Sequence, residues 1–229
     1  MAKQLYEVDA TPATYDNLFA DLAINALTKG VTLKAAQGVV KRGSVLGLIT
    51  LAVGTIVTTE TNTGDPIIAT VTLAANAQKG AYKVICNKAP TAGGANNAVF
   101  SVFAPDGSRL ADTVQNVAFA GGHLAFKVAV VTAVDSIVGD SFTINVIAGS
   151  GLAVLVNKTS VDGSNLADSI LSDDVDTGAV GETANIPYAA YTSGHFNRNA
   201  LIFGTANTAA DHEDRLRDLG IILKDNIAY

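Results

Sequence analysis

Between residues 64 and 151 the sequence alternates short β-branched or aromatic runs with clusters of turn-forming residues. The runs have strand length, and they cover residues 67–73, 81–86, 98–103, 123–131 and 141–147. Glycine, proline or aspartate stands between them. Short strands at this spacing are typical of an all-β sandwich. In the last run Phe142, Ile144 and Val146 alternate with polar residues, which predicts one buried and one wet face for that strand.

The composition excludes several other classes of protein. Hydrophobic residues make up 48% of the 229 residues and the net charge is only −6, so an intrinsically disordered chain is not expected. Ala, Thr, Val and Gly are abundant and Trp is absent, which favours sheets with cores of small and β-branched side chains. The acidic balance and the lack of a Lys/Arg cluster predict that neither nucleic acid nor a membrane is a partner. Residues 152–229 carry eleven acidic and five basic side chains, so the whole negative excess lies there.

The single cysteine, Cys86, excludes an intramolecular disulfide and a cysteine-rich metal site. Its strand-like surroundings predict a buried side chain that behaves as a small hydrophobe. The longest apolar run, 45–57, is shorter than the roughly 20 residues of a membrane span, so we interpret it as two strands around a turn. The polar start of the chain contains no secretory signal, and we therefore expect synthesis in a reducing cytoplasm.

The sequence on both sides of residues 64–151 has a different character. Strands are expected at 31–34, 39–50 and 153–157. Residues 14–30 are ambiguous. The four-residue spacing of Leu18, Leu22 and Ala26 permits an amphipathic helix, but an extended arm that becomes ordered on a partner is equally compatible.

One helix is expected near the C terminus, over residues 208–220. Thr208 and Asp211 have the spacing of a capping box, and Gly220 is suited to end the helix. A short strand at 221–224 is expected to follow it.

No arrangement of residues with a recognisable chemistry is present in the sequence. The three histidines, His123, His195 and His212, form no metal-spaced pair, so structural or surface roles are expected for them. Nucleotide-binding, hydrolase and zinc-protease motifs are absent. The acidic residues 172–178 lack the spacing of a calcium loop, which favours a solvated loop over an ion site. We therefore predict a structural or binding protein that is not an enzyme and has no catalytic residues, metal or cofactor.

Four stretches outside residues 64–151 carry a resemblance to a known family. They read YDNLFA (15–20) with TKGVTL (28–33), KRGSVLGLIT (41–50), DGS (162–164) with ADSILSDDVD (167–176), and GHFNRNAL (194–201) with LRDLGI (216–221). In this order they resemble the head decoration proteins of tailed bacteriophages, a lambda-like family that binds the outside of the mature capsid.

The resemblance implies a mainly β (α+β) fold with three parts. Residues 1–30 would form an extended N-terminal capsid-binding arm. Residues 31–63 and 152–229 would form a small, discontinuous β-rich core with one C-terminal helix. Residues 64–151 would then be an inserted all-β, sandwich-like domain.

The resemblance also implies the function of a cement protein, which binds the outer surface of the expanded capsid and stabilises it against internal DNA pressure. The implied partners are the major capsid protein and further copies of the chain, in a trimer or alternatively a dimer. The implied location is the outer face of the virion. The capsid-binding residues expected in the arm are Pro12, Tyr15, Asn17, Leu18 and Phe19.

Two other functions are alternatives to this one. A surface adhesion module would bind host-cell glycans through the inserted domain, but aromatic residues, on which sugars commonly stack, are few. An enzyme acting on cell-wall polymers would need a pair of carboxylates in a cleft, and no spacing in the sequence selects such a pair.

Overall fold

The computed structural model of the protein describes residues 17–21, 23–60, 62, 64, 66–91, 97–130 and 135–225. Over these residues the chain is mainly β, with one short α-helix near the C terminus, which confirms the predicted fold class. No helix in the described part is long and apolar enough to cross a bilayer. The strands are β1 (Thr28–Leu33), β2 (Val39–Val40), β3 (Val45–Leu48), β4 (Leu51–Thr58), β5 (Pro66–Leu73), β6 (Gly80–Lys88), β7 (Val99–Phe103), β8 (Arg109–Val114), β9 (Ala118–Ala120), β10 (Leu124–Val130), β11 (Ser141–Ala148), β12 (Ala153–Leu155), β13 (Ala167–Leu171), β14 (Val175–Asp176), β15 (Ile186–Tyr191), β16 (Gly194–Asn197) and β17 (Ile221–Lys224).

Five strands close into a small barrel in the order β1, β12, β3, β13 and β15. β1 runs antiparallel to β15 over its full length, and at its end Leu33 pairs in parallel with Ala153 of β12. Val31 and Leu33 are buried whereas Thr32 between them is exposed, as expected for a strand with one face in a core. One core cluster combines side chains of the barrel strands with those of β2 and β14: Val31, Leu33, Val40, Leu46, Ala153, Leu171, Val175 and Ala190.

The C-terminal elements pack against one side of the barrel. The predicted helix over 208–220 is divided into a 3₁₀-helix at Ala209–Asp211 and the α-helix α1 at Glu213–Asp218. The predicted capping box is present, and the carboxylate of Asp211 accepts a hydrogen bond from the backbone N–H of Thr208 at 2.8 Å. Gly220, at φ +85°, ends α1 and returns the chain into β17, which pairs in parallel with β16. Leu18, Val45, Val156, Ala167, Ile170, Phe196, Leu216, Ile221 and Leu223 form the core between these elements and the barrel.

Residues 51–148 form two sheets that face each other as a sandwich. One sheet has the order β5, β10 and β9, and the other has the order β4, β11, β6, β7 and β8. Side chains from both sheets form one core cluster, which includes Phe126 of the first sheet and Phe142 of the second. Phe142, Ile144 and Val146 are buried, as their alternation predicts, and Cys86 is buried among them.

The sandwich joins the barrel where β3 continues into β4 and β11 returns to β12. The backbone N–H groups of Thr50 and Leu51 both donate to the carbonyl oxygen of Asp162, at 2.8 and 2.9 Å. The N–H of Ile49 donates to the carbonyl oxygen of Leu152 at 3.0 Å. Because β4 pairs with β11, the paired strands of the sandwich begin at Leu51 rather than at the predicted boundary of residue 64. The division into a core and an inserted domain stays a prediction, and this pairing favours an earlier boundary for it.

Candidate functional site

Residues 17–21 of the predicted arm lie against β16. Phe19 and Phe196 form an antiparallel bridge. The N–H of Ala20 donates to the carbonyl oxygen of His195 at 3.0 Å, and the N–H of Asn197 donates to that of Leu18 at 2.9 Å. Residues 17–21, which we call the arm base, are therefore joined to β16 by one isolated bridge and two backbone hydrogen bonds. The helix permitted by the sequence is absent from 17–21 and 23–27, which contain several bends. An arm that becomes ordered on a partner stays a prediction.

Aromatic and aliphatic side chains hold the arm base on the protein. Leu18 is only 3% exposed and belongs to the core between the barrel and the C-terminal elements. The ring of Phe19 lies 5.2 Å from that of Tyr191, in an edge-to-face arrangement, and 5.1 Å from that of Phe196. Such ring pairs add to the free energy gained by burial of the rings alone. The arm base is thus anchored by packing as well as by backbone hydrogen bonds.

The five predicted capsid-binding residues do not share one environment. Leu18 and Phe19 pack on the protein's own core in this single chain. Asn17 is exposed, and its carbonyl oxygen accepts a hydrogen bond from the side-chain amide of Asn197 at 3.0 Å. Pro12 and Tyr15 lie outside the described residues.

An ionic cluster that sequence reasoning missed lies at the end of the arm base. The carboxylate of Asp21 contacts Lys224 Nζ through Oδ2 and His195 Nδ1 through Oδ1, both at 2.6 Å. Lys224 Nζ is also 3.0 Å from His195 Nδ1. The hydrogen bond from Lys224 is the largest cause that holds the pKa of Asp21 well below its usual value. These residues come from three distant parts of the sequence, so no local motif could have indicated the cluster.

The other two histidines have structural surroundings, in agreement with the sequence. His212 is buried, its ring stacks on Phe203 with the ring centroids 5.6 Å apart, and its Nε2 lies 3.0 Å from the side-chain oxygen of Asn207. Burial lowers the pKa of His212. The Nδ1 of His123 lies 3.2 Å from the hydroxyl of Tyr82.

Within the acidic segment 172–178, Asp174 forms an ion pair with Lys41, and no recognisable ion site is present in this segment. The carboxylate of Asp174 contacts Lys41 Nζ at 2.8 Å and accepts a hydrogen bond from the backbone N–H of Arg42 at 2.8 Å. The hydrogen bond from Lys41 is the main cause that lowers the pKa of Asp174. Asp173 and Asp174 are exposed, as predicted for a solvated loop. The rest of the segment differs from that prediction, because Val175–Asp176 form β14 and both Val175 and Thr177 are buried. Among the described residues, no group of three or more His, Cys, Asp or Glu side chains is placed to hold a metal ion.

The described residues thus form a β-rich protein, with a sandwich between two strands of a small barrel and the arm base on β16. The family of bacteriophage lambda head decoration protein D matches residues 8–222 of the sequence. The chain therefore belongs to this family, and membership assigns it a structural role in the phage head.

Solved structures that are similar to the chain include two flagellar proteins. FlgL from Xanthomonas campestris is 13% identical, with a TM-score of 0.30, over 47% of this chain and 32% of that one. The flagellar junction protein FlgL from Legionella pneumophila is 13% identical, with a TM-score of 0.32, over 50% of this chain and 38% of that one. The chain thus spans about a third of the length of these flagellar proteins, and a similarity at this level carries no argument. A comparison with curated proteins gave no match.

Proposed function

We propose that this protein binds the outer surface of the expanded phage capsid and stabilises the shell against the outward pressure of packaged DNA. The observation that carries the proposal is the family match, which extends over residues 8–222. The proposed partners are the major capsid protein and further copies of the chain, in a trimer or alternatively a dimer. The protein would be made in the host cytoplasm and would act on the outer face of the virion.

The arm is proposed to provide the capsid contact, with different roles for its residues. Pro12, Tyr15 and Asn17 would touch the shell, and the backbone of the arm would pair with a capsid strand. Leu18 and Phe19 pack on the core between the barrel and the C-terminal elements. This packing supports a different role from the one expected from the sequence. They would hold the arm base in place while the residues before them engage the shell.

The stabilisation follows from differential binding. A protein that binds the expanded shell more tightly than the unexpanded one shifts the equilibrium toward the expanded form. Many copies that bridge neighbouring capsid subunits multiply a modest free energy per contact into a large effect on the whole shell.

The test uses expanded heads that lack a decoration protein, with unexpanded heads as the control. We expect the full chain to bind expanded heads and to raise the temperature at which they release DNA. Saturating protein that leaves the stability of the heads unchanged would refute the proposal.

A pair of variants separates the roles within the arm. Tyr15→Ala is expected to weaken binding to expanded heads without changing the stability of the free protein. Leu18→Ala is expected to lower the free energy of unfolding by about 2–5 kcal/mol, because it removes a buried side chain from a core. Normal head binding by Tyr15→Ala and by a deletion of residues 2–16 would remove the arm from the proposal.

No observation favours the glycan-binding alternative. Aromatic rings of the sandwich that could stack on sugars are mostly in its core: Tyr82, Phe100, Phe119, Phe126 and Phe142 are all buried. Phe103 is the partly exposed ring in the described part of the sandwich. A single ring offers little of the stacking surface on which sugar binding commonly depends.

A further inference from the structure

A small apolar hollow lies on the surface beside the barrel, between β2, the end of β12 and the chain that follows β16. Its lining includes Val39, Val40, Leu155 and Ile202, and its volume is about 140 Å³. Val39 is 51% exposed and Ile202 is 39% exposed, whereas Val40 is buried. An apolar cavity of about 150 Å³ can bind a benzene molecule, so the hollow has room for one aliphatic side chain.

The two long polar side chains that border the hollow are engaged within the chain. Gln37 Nε2 donates to the carbonyl oxygen of Lys34 at 2.8 Å, and Gln37 Oε1 accepts a hydrogen bond from the N–H of Leu155 at 3.4 Å. The ammonium group of Lys41 pairs with the carboxylate of Asp174 at 2.8 Å. Because these polar groups already have partners, the hollow suits an apolar side chain better than a charged ligand.

The hollow adjoins the arm base through Gly43. The N–H of Ile202 donates to the carbonyl oxygen of Gly43 at 3.0 Å. A Cβ atom at Gly43 would lie 3.1 Å from Leu18 Cδ1, so Leu18 of the arm base packs directly on this glycine. Asn17, which precedes Leu18, contacts Asn197 at the end of β16, and the chain then leads from Asn197 to Ile202 through a single 3₁₀ turn. The arm base therefore begins beside the hollow.

We propose that this hollow receives an aliphatic side chain of the major capsid protein when the arm engages the shell, an inference that rests on the proposed function. Because the arm base begins beside the hollow, a capsid strand that pairs with the residues before Asn17 brings the capsid surface to Val39 and Ile202. The hollow is already formed in the free protein, so the contact requires little ordering of the chain. Burial of one aliphatic side chain strengthens binding about ten- to a hundredfold.

The first test measures the affinity of full-length variants for expanded heads by co-sedimentation. Val39→Asp is expected to weaken binding about tenfold or more, because its carboxylate would lose water in an apolar contact. Val57→Asp is the matched control: Val57 is also a strand valine, it is 50% exposed, and it lies on β4 of the sandwich. Thermal unfolding verifies that both variants are folded. Wild-type affinity of Val39→Asp, or an equal loss in both variants, overturns the inference, whereas wild-type protein that fails to bind heads refutes the proposed function itself.

The second test identifies what fills the hollow. A polarity-sensitive fluorescent label is attached to Val39→Cys, and to Val57→Cys as the control; the native Cys86 is buried and is not labelled in the folded protein. We expect expanded heads to shift the emission to the blue at position 39 alone, or the bulky label to abolish head binding at position 39 alone. Emission that is already blue-shifted in the free protein overturns the inference, because the chain then fills its own hollow. A blue shift that grows with protein concentration without heads also overturns it, in favour of a second copy, as does unchanged emission in labelled protein that binds heads.

Discussion

Replacement of residues 50–151 by the dipeptide Asn-Gly tests whether the barrel and the sandwich are independent. Before this segment the N–H of Ile49 donates to the carbonyl oxygen of Leu152, so these two residues are already paired as the last residues of a hairpin. Asn-Gly is the preferred two-residue turn for such a hairpin. The shortened chain should therefore close the β3–β12 pair without a change in its register.

The cost of the replacement follows from the contacts that are lost. The core cluster of the sandwich shares no residue with the other two core clusters, which involve the barrel strands and the C-terminal elements. The replacement therefore removes no buried side chain of the barrel. The main losses are the two hydrogen bonds from Thr50 and Leu51 to Asp162. At a net value of about 1 kcal/mol each, they amount to about 2 kcal/mol. A domain of ordinary stability, about 5–15 kcal/mol, remains folded after such a loss.

Urea unfolding followed by circular dichroism measures the outcome. We expect a single cooperative transition, with an m value reduced in proportion to the surface that the shortened chain no longer buries. The same replacement combined with Leu33→Ala is the control, because Leu33 is fully buried in the barrel and its loss should lower the stability by a further amount of about 2–5 kcal/mol. A shortened chain without a cooperative transition would refute the reasoning, since the barrel would then depend on the sandwich.

Two further predictions concern single residues. Burial lowers the pKa of His212 below its unfolded value of about 6.5, so the unfolded state binds a proton at a higher pH than the folded state does. The protein should therefore lose stability as the pH falls below this value, and urea unfolding at several pH values measures the loss. A His212→Gln variant with the same pH profile as wild type would contradict this prediction. Gly47→Ala would place a Cβ atom 2.2 Å from the carbonyl oxygen of Ser164, so it should cost about 1–3 kcal/mol or more, whereas Gly30→Ala meets open space and should be neutral or stabilise by about 0.4–1 kcal/mol. Equal midpoints for the two alanine variants in urea would disprove the steric argument.

Local patterns were sufficient to predict most of the strands. The alternation of Phe142, Ile144 and Val146 is a direct reading of the two faces of β11, and all three side chains are buried. No strand is predicted at β8, β9, β13, β14, β15 or β16. β8 is an edge strand that carries Arg109 and Asp112, whose side chains form an ion pair at 2.8 Å. Because of these polar residues, β8 lacks the β-branched or aromatic run from which a strand is predicted.

Strand partners could not be predicted from local patterns. β3 and β4 form one nearly continuous apolar stretch, yet β3 pairs within the barrel and β4 pairs with β11 of the sandwich. A residue's hydrophobicity indicates that a strand buries one face but not which sheet it joins. The same limit applies to Leu18 and Phe19, whose apolar side chains fit a capsid surface and their own core equally well. The cluster of Asp21, His195 and Lys224 depends on contacts between distant segments, so it became visible only in the folded chain.

The order of the strands has a consequence for how the chain folds during synthesis. All strands of the sandwich lie between Leu51 and Ala148, whereas the barrel closes only when β15 at Ile186–Tyr191 pairs with β1. The complete sandwich therefore emerges from the ribosome before the last barrel strand does. Once folded, the sandwich holds β3 and β12 side by side, because β4 and β11 leave it as neighbours. The folded sandwich then acts as a short connection between β3 and β12. The barrel strands therefore lose less loop entropy when they pair than they would with about 100 unfolded residues between them.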